Sequence, residues 1–147
     1  MMDDWNRMAW EKYENEVFLK NGAYEFLEEC KKRGILLGIA SSNSRELVAN
    51  VIHARGLEGF FHVIITGSDG LPGKPAPDMY MEAARKLNVE PIHCLVFEDI
   101  PKGITAGKEA GMKVCAVEDL YSAHQREEKK NMSDYYIEDY YGIFHLA

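Results

Sequence analysis

Residues 35–40, Ile35-Leu36-Leu37-Gly38-Ile39-Ala40, carry no polar side chain and run straight into Ser41-Ser42-Asn43-Ser44. A half-exposed strand alternates apolar and polar residues, so an unbroken apolar run reads as a strand covered on both faces, as in a parallel sheet between helices. Working backwards, Ala23 to Lys32 sets Phe26, Leu27 and Cys30 at helical offsets and stops at Arg33-Gly34, which predicts a helix. Working forwards, Arg45 to His53 reads as helix, Phe60 to Thr66 as strand, Pro77 to Leu87 as helix and His93 to Phe97 as strand. A helix from about Gly103 to Ala110 and a strand at Lys113 to Val117 follow. Strand and helix in alternation predict an α/β fold: a doubly wound, Rossmann-like parallel sheet with flanking helices. Outside this core, Met1 to Phe18 reads as one amphipathic helix, with Trp5, Met8, Ala9, Tyr13 and Val17 at helical offsets. Ser122 to Asn131 reads as a charged helical surface segment, and Tyr135-Tyr136-Ile137 with Tyr140-Tyr141 as a short last strand.

The composition narrows the partners. At 147 residues with 46% hydrophobic and 28% charged positions, the chain has the balance of one soluble domain with a real core. Its 17 basic and 24 acidic residues give a net charge of −7, with no basic face or segment. Nucleic acid and anionic membranes are therefore excluded as expected partners. Any bound anion must be held by local groups, meaning helix N-termini, one or two lysines and a metal. Cys30, Cys94 and Cys115 share no metal-ligand spacing; Cys94 and Cys115 sit inside apolar runs, and buried structural thiols are expected. The N-terminal stretch has no apolar signal core, and no run reaches the roughly 18 apolar residues that a membrane span needs. A reducing cytoplasm is the expected location.

In an open α/β sheet the ligand lies off the carboxyl ends of the strands, so the strand ends carry the function. They finish in Ser41-Ser42-Asn43-Ser44, in Thr66-Gly67 leading to Gly73-Lys74-Pro75, in Glu98-Asp99 and in Glu118-Asp119. Around a phosphoryl group, Ser41 and the N–H groups of Ser42 and Asn43 can donate hydrogen bonds, and Lys74 can neutralise charge on the oxygens. Glu98 and Asp99 suit a hard cation such as Mg²⁺, which takes oxygen ligands and keeps several waters. Each feature also has a plain structural reading. The serines fit an N-cap cluster, Lys74 a solvated turn residue, and Glu98-Asp99 the cap of the next helix.

Taken in order, the same residues resemble a known family. Ile35 to Ser41, Gly73-Lys74-Pro75-Ala76-Pro77-Asp78, and Leu95-Val96-Phe97-Glu98-Asp99 with Gly103 and the helix from Ala106 to Met112 are similar to the second, third and fourth motifs of the haloacid-dehalogenase-like hydrolases. The branch they resemble contains β-phosphoglucomutase and related sugar-phosphate phosphatases. The resemblance spans roughly Phe18 to Val117. It implies that Ser41 holds the transferring phosphoryl group and that Lys74 bridges it to a nucleophilic carboxylate. It also implies Asp99 as Mg²⁺ ligand with Glu98 assisting, and a small phosphorylated metabolite as substrate.

The family's first motif, an Asp-x-Asp at the end of the first strand whose leading Asp forms an aspartyl-phosphate, is not found. Asp3-Asp4 precedes a helical pattern, and Asp69-Gly70 lies in a loop without a second carboxylate at the right offset. Residues 1–18 resemble instead the last helix of the cap domain that family members insert after that motif. The expected organisation is a cap remnant at 1–18 and an incomplete core at 19–147. With the central strand of the family's 5-4-1-2-3 sheet missing, the strands at Ile35 and His93 should flank a gap. An N-terminal complementing segment, an oligomer or direct closure of the two strands is expected there. Two other readings stay open: a non-catalytic homologue that binds phosphate and Mg²⁺, and a phospho-receiver domain. The chain order disfavours the receiver, because here the hydroxyl and lysine precede the acidic pair.

Overall fold

A computed structural model describes residues 21–145. Five helices alternate with five strands: α1 (Ala23–Lys32), β1 (Gly38–Ala40), α2 (Arg45–Ala54), β2 (Val63–Ile65), α3 (Asp78–Leu87), β3 (Leu95–Glu98), α4 (Pro101–Glu109), β4 (Lys113–Val117), α5 (Arg126–Met132) and β5 (Tyr135–Ile137). Short 3-10 turns fill several of the connections. The amphipathic segment expected at Met1 to Phe18 lies outside the described residues. No described helix is long and apolar enough to cross a membrane.

All strand pairs are parallel, in the order β1-β2 and β3-β4-β5. Among the described residues no ladder pairs β1 with β3, so the two sheets stop where the sequence placed a missing central strand and do not close directly. β1, β2 and β3 are shorter than the apolar runs that announced them. Ile35 and Leu36 belong to the exit from α1, where Gly34 adopts positive φ and the Ile35 N–H returns to the Cys30 carbonyl at 2.9 Å. Only Gly38–Ala40 then pairs with β2. Likewise Pro91–His93 forms a 3-10 turn with proline at its start, which delays β3 to Leu95. Proline at the first helical position also begins α4 two residues before the expected Gly103.

Successive side chains of a strand point to opposite faces, and the buried residues sort accordingly. Leu37, Ile39, Leu95, Phe97, Cys115 and Val117 pack against Phe26, Leu27, Val48 and Ile52 of α1 and α2. Ala40, Val96, Val114 and Ala116 pack against Met79, Tyr80, Ala83 and Ile104 of α3 and α4. Both cores draw on both sheets, so the described residues form one three-layer body with α1 and α2 on one face and α3, α4 and α5 on the other, the doubly wound arrangement expected. All three cysteines are buried, and burial pushes the Cys115 thiol up to about 12.

Candidate functional site

The chain leaves β1 through a loop that satisfies itself. The Ser41 N–H extends the ladder to the Ile65 carbonyl at 2.9 Å, and its buried hydroxyl accepts from the Asn43 N–H at 3.0 Å. Ser44 caps α2 by accepting from the Leu47 N–H at 3.2 Å, so one member of the serine run does serve as an N-cap. The loop after β2 closes onto this one. The Gly67 N–H donates to the Asn43 carbonyl at 2.8 Å, and the Arg45 N–H donates to the Ser68 hydroxyl at 3.1 Å. A Cβ on Gly67 would overlap the Ser42 carbonyl, which is the physical reason for glycine there. Within the second loop Asp69 accepts from the Thr66 N–H at 2.8 Å and pairs with Arg45, and these two hold its carboxyl below the usual range against a burial effect that opposes them.

The ends of β3 and β4 are acidic and deeply buried: Glu98, Asp99 and Asp119 are 1%, 0% and 4% exposed. Glu98 points towards the layer of α3 and α4. Its Oε2 accepts from Lys74 Nζ at 2.6 Å and from the Tyr80 hydroxyl. A Cβ on Gly103 would overlap the Glu98 carboxylate, so α4 approaches this side chain as only glycine permits. Lys74 also donates to the Ala40 carbonyl at 3.0 Å and lies 5.0 Å from the centre of the Tyr80 ring. Its ammonium therefore joins the residue before Ser41 to the residue before Asp99 and ties the two sheets together. The Asp99 carbonyl accepts from Lys129 Nζ at 2.8 Å. Glu118 pairs with Arg126, which holds its carboxyl below the usual range.

The geometry gathers Ser41, Lys74, Glu98 and Asp99 at one carboxyl edge, with Ser42 exposed and Asn43 half-buried at its rim. A buried ammonium beside hydroxyl and N–H groups can bind a phosphate oxygen. The neighbouring carboxylates offer only hard oxygen donors, which fits Mg²⁺ better than a softer metal. No three His, Cys, Asp or Glu side chains among the described residues make a full cage, and Mg²⁺ needs only one or two protein carboxylates. Two residues escaped the sequence reading. Tyr80 lies on a buried face of α3 and drew no separate reading. Lys129 sits in the segment expected to be a charged surface, yet it is 0% exposed. No local pattern separates either from its neighbours.

The profile of the haloacid dehalogenase-like hydrolases matches residues 1–117. The chain is 38% identical over 100 residues to the bifunctional riboflavin kinase/FMN phosphatase of Arabidopsis thaliana, an alignment covering 67% of this chain and 26% of that protein. It is 38% identical over 92 residues to the validoxylamine A 7'-phosphate phosphatase of Streptomyces hygroscopicus subsp. limoneus, covering 63% and 43%. Among solved structures, CbbY from Rhodobacter sphaeroides in complex with phosphate superposes with a TM-score of 0.78 at 30% identity, covering 85% of this chain and 56% of that one. The chain thus spans less than two thirds of the length of each of these relatives.

Proposed function

The chain belongs to the haloacid dehalogenase-like hydrolases, and from that premise we propose that it forms the phosphate- and metal-binding part of a Mg²⁺-dependent phosphohydrolase or phosphomutase. The substrate class is a small phosphorylated metabolite, with a sugar phosphate the first candidate. The observation that carries the reading is the Lys74 ammonium, held at once by the carbonyl before Ser41 and the carboxylate before Asp99. The two phosphatase relatives support the phosphate-ester class.

In this reading the Ser41 hydroxyl and the Ser42 N–H bind the transferring phosphoryl oxygens, and the Asn43 N–H, which donates to the Ser41 hydroxyl, orients it. Lys74 neutralises the charge that develops on them, and Glu98 with Tyr80 holds the ammonium in place. Asp99, with Glu98 beside it, would hold Mg²⁺. When bound, that ion supplies further charge neutralisation and orients the phosphate. The nucleophilic carboxylate comes from an Asp-x-Asp strand that pairs between β1 and β3, carried by a complementing segment or another polypeptide; the 147 residues contain no Asp-x-Asp. Residues 1–18 would be the end of a cap domain and 19–147 the core. Three buried cysteines accord with a cytoplasmic setting.

The test is hydrolysis of p-nitrophenyl phosphate with Mg²⁺, by the chain alone and with an added peptide of one apolar strand ending in Asp-x-Asp. Turnover is expected only with the peptide, and Asp99→Ala should remove it. Turnover by the chain alone would overturn the assignment of the nucleophile. Peptide binding without turnover would favour the second reading, a non-catalytic protein that binds phosphate and Mg²⁺, which the missing Asp-x-Asp also supports.

A further inference from the structure

Lys129, on α5, is the one lysine with no exposed surface among the described residues. Lysine is almost never fully buried unless its ammonium is satisfied, because desolvating the charge is expensive. Here Nζ donates to the Asp99 carbonyl at 2.8 Å and to the Val117 carbonyl at 2.9 Å. It also lies 6.0 Å from the centre of the Tyr136 ring. The two carbonyls belong to adjacent strand ends, one of them to Asp99 itself and the other just before Glu118-Asp119. An apolar side chain of the same length would fill this space without the desolvation cost, so packing alone does not call for lysine.

We propose that Lys129 is a positioning residue for the metal carboxylate: by anchoring the Asp99 main chain to β4, it aims the Asp99 side chain at the cation. The inference rests on Asp99 being a metal ligand, as set out above. Its sign separates it from simple electrostatics. A positive charge behind the acidic edge should weaken cation binding, so deleting the charge alone would tighten it. Deleting an anchor loosens it.

The experiment measures Mn²⁺ affinity of the full chain by the loss of the free-ion paramagnetic resonance signal, with Mg²⁺ competition, alongside thermal melts. Wild type should bind, and Asp99→Ala should abolish binding. Lys129→Met should weaken the Kd at least tenfold in protein that is still folded at the assay temperature, and Lys129→Arg, which keeps N–H donors, should recover most of it. An unchanged or tighter Kd for Lys129→Met overturns the role, whatever the melt shows. If Lys129→Met does not fold, the nitrogen resonance of the wild-type Lys129 ammonium decides. A shift on Mg²⁺ addition that is absent in Asp99→Ala supports the anchor, and no shift overturns it. Wild type that binds neither metal removes the metal reading of Asp99 and the role of Lys129 together.

Discussion

The two halves of the carboxyl edge are built on opposite principles. After β1 and β2, the buried or capping side chains of the donor-rich half are met by near neighbours, Ser41 by Asn43, Ser44 by Leu47 and Asp69 by Thr66, each within three residues, and the longer-range bonds from Arg45 to Ser68 and Asp69 lie on its exposed rim. After β3 and β4, the acidic half depends on distant partners. Glu98 is held by Lys74 and Tyr80, 24 and 18 residues away, and the Asp99 carbonyl by Lys129, 30 away. A half whose turns close locally keeps the shape of each turn without distant partners. A half made of buried carboxylates cannot exist until the tertiary structure brings its cations and hydroxyls.

The contrast breaks most sharply at Lys74. Lys74→Met leaves a carboxylate that is 1% exposed without its cation and should cost about 3–5 kcal/mol in denaturant melts. Adding Glu98→Gln should return part of that loss. Gly103→Ala comes next. In an ordinary helix the change stabilises slightly, but here the new methyl meets Glu98, and about 1–3 kcal/mol of destabilisation is expected from overpacking. Tyr80→Phe removes one hydroxyl donor to the same carboxylate and should cost about 1.5–2 kcal/mol, read by the same melts. On the donor-rich half, Ser44→Ala removes a local cap and should cost only about 1 kcal/mol. A loss at Ser44 as large as that at Lys74 would erase the distinction.

The smallest effect is in pH. Each half has one carboxylate held below its usual range, Asp69 by the Thr66 N–H and Arg45, and Glu118 by Arg126. Because folding depresses both, their stabilisation is present above the ordinary carboxylate value of about 4 and is lost as pH falls through the depressed values. Melting temperatures should therefore hold between about pH 7 and 5 and fall in more acid solution. Asp69→Asn and Glu118→Gln should each flatten that fall slightly, and added salt should shrink the difference, since both arginines are half exposed.

The same division decided what could be read from the sequence. The apolar runs located every strand of the core, and β4 coincides with the expected Lys113 to Val117. Ends moved where backbone geometry overrode hydropathy, as at Gly34 and Pro91. Ser41, Lys74, Glu98 and Asp99 stood out because strand ends are visible in one dimension. Tyr80 and Lys129 did not, since their importance lies in what they touch across the fold: a tyrosine at a core position and a lysine in a charged segment look ordinary until the chain is folded.

Gly103 has one more consequence. Where α4 faces Glu98 it presents a single hydrogen, and its neighbours in the helix are Lys102 and Ile104. Moving the helix by one residue, a turn of about 100° with about 1.5 Å along its axis, would drive one of those bulkier groups into the carboxylate. The contact thus works as a ratchet stop that fixes the register of the helix against the strand, and with it the direction from which Ile100 and Pro101 leave the acidic edge.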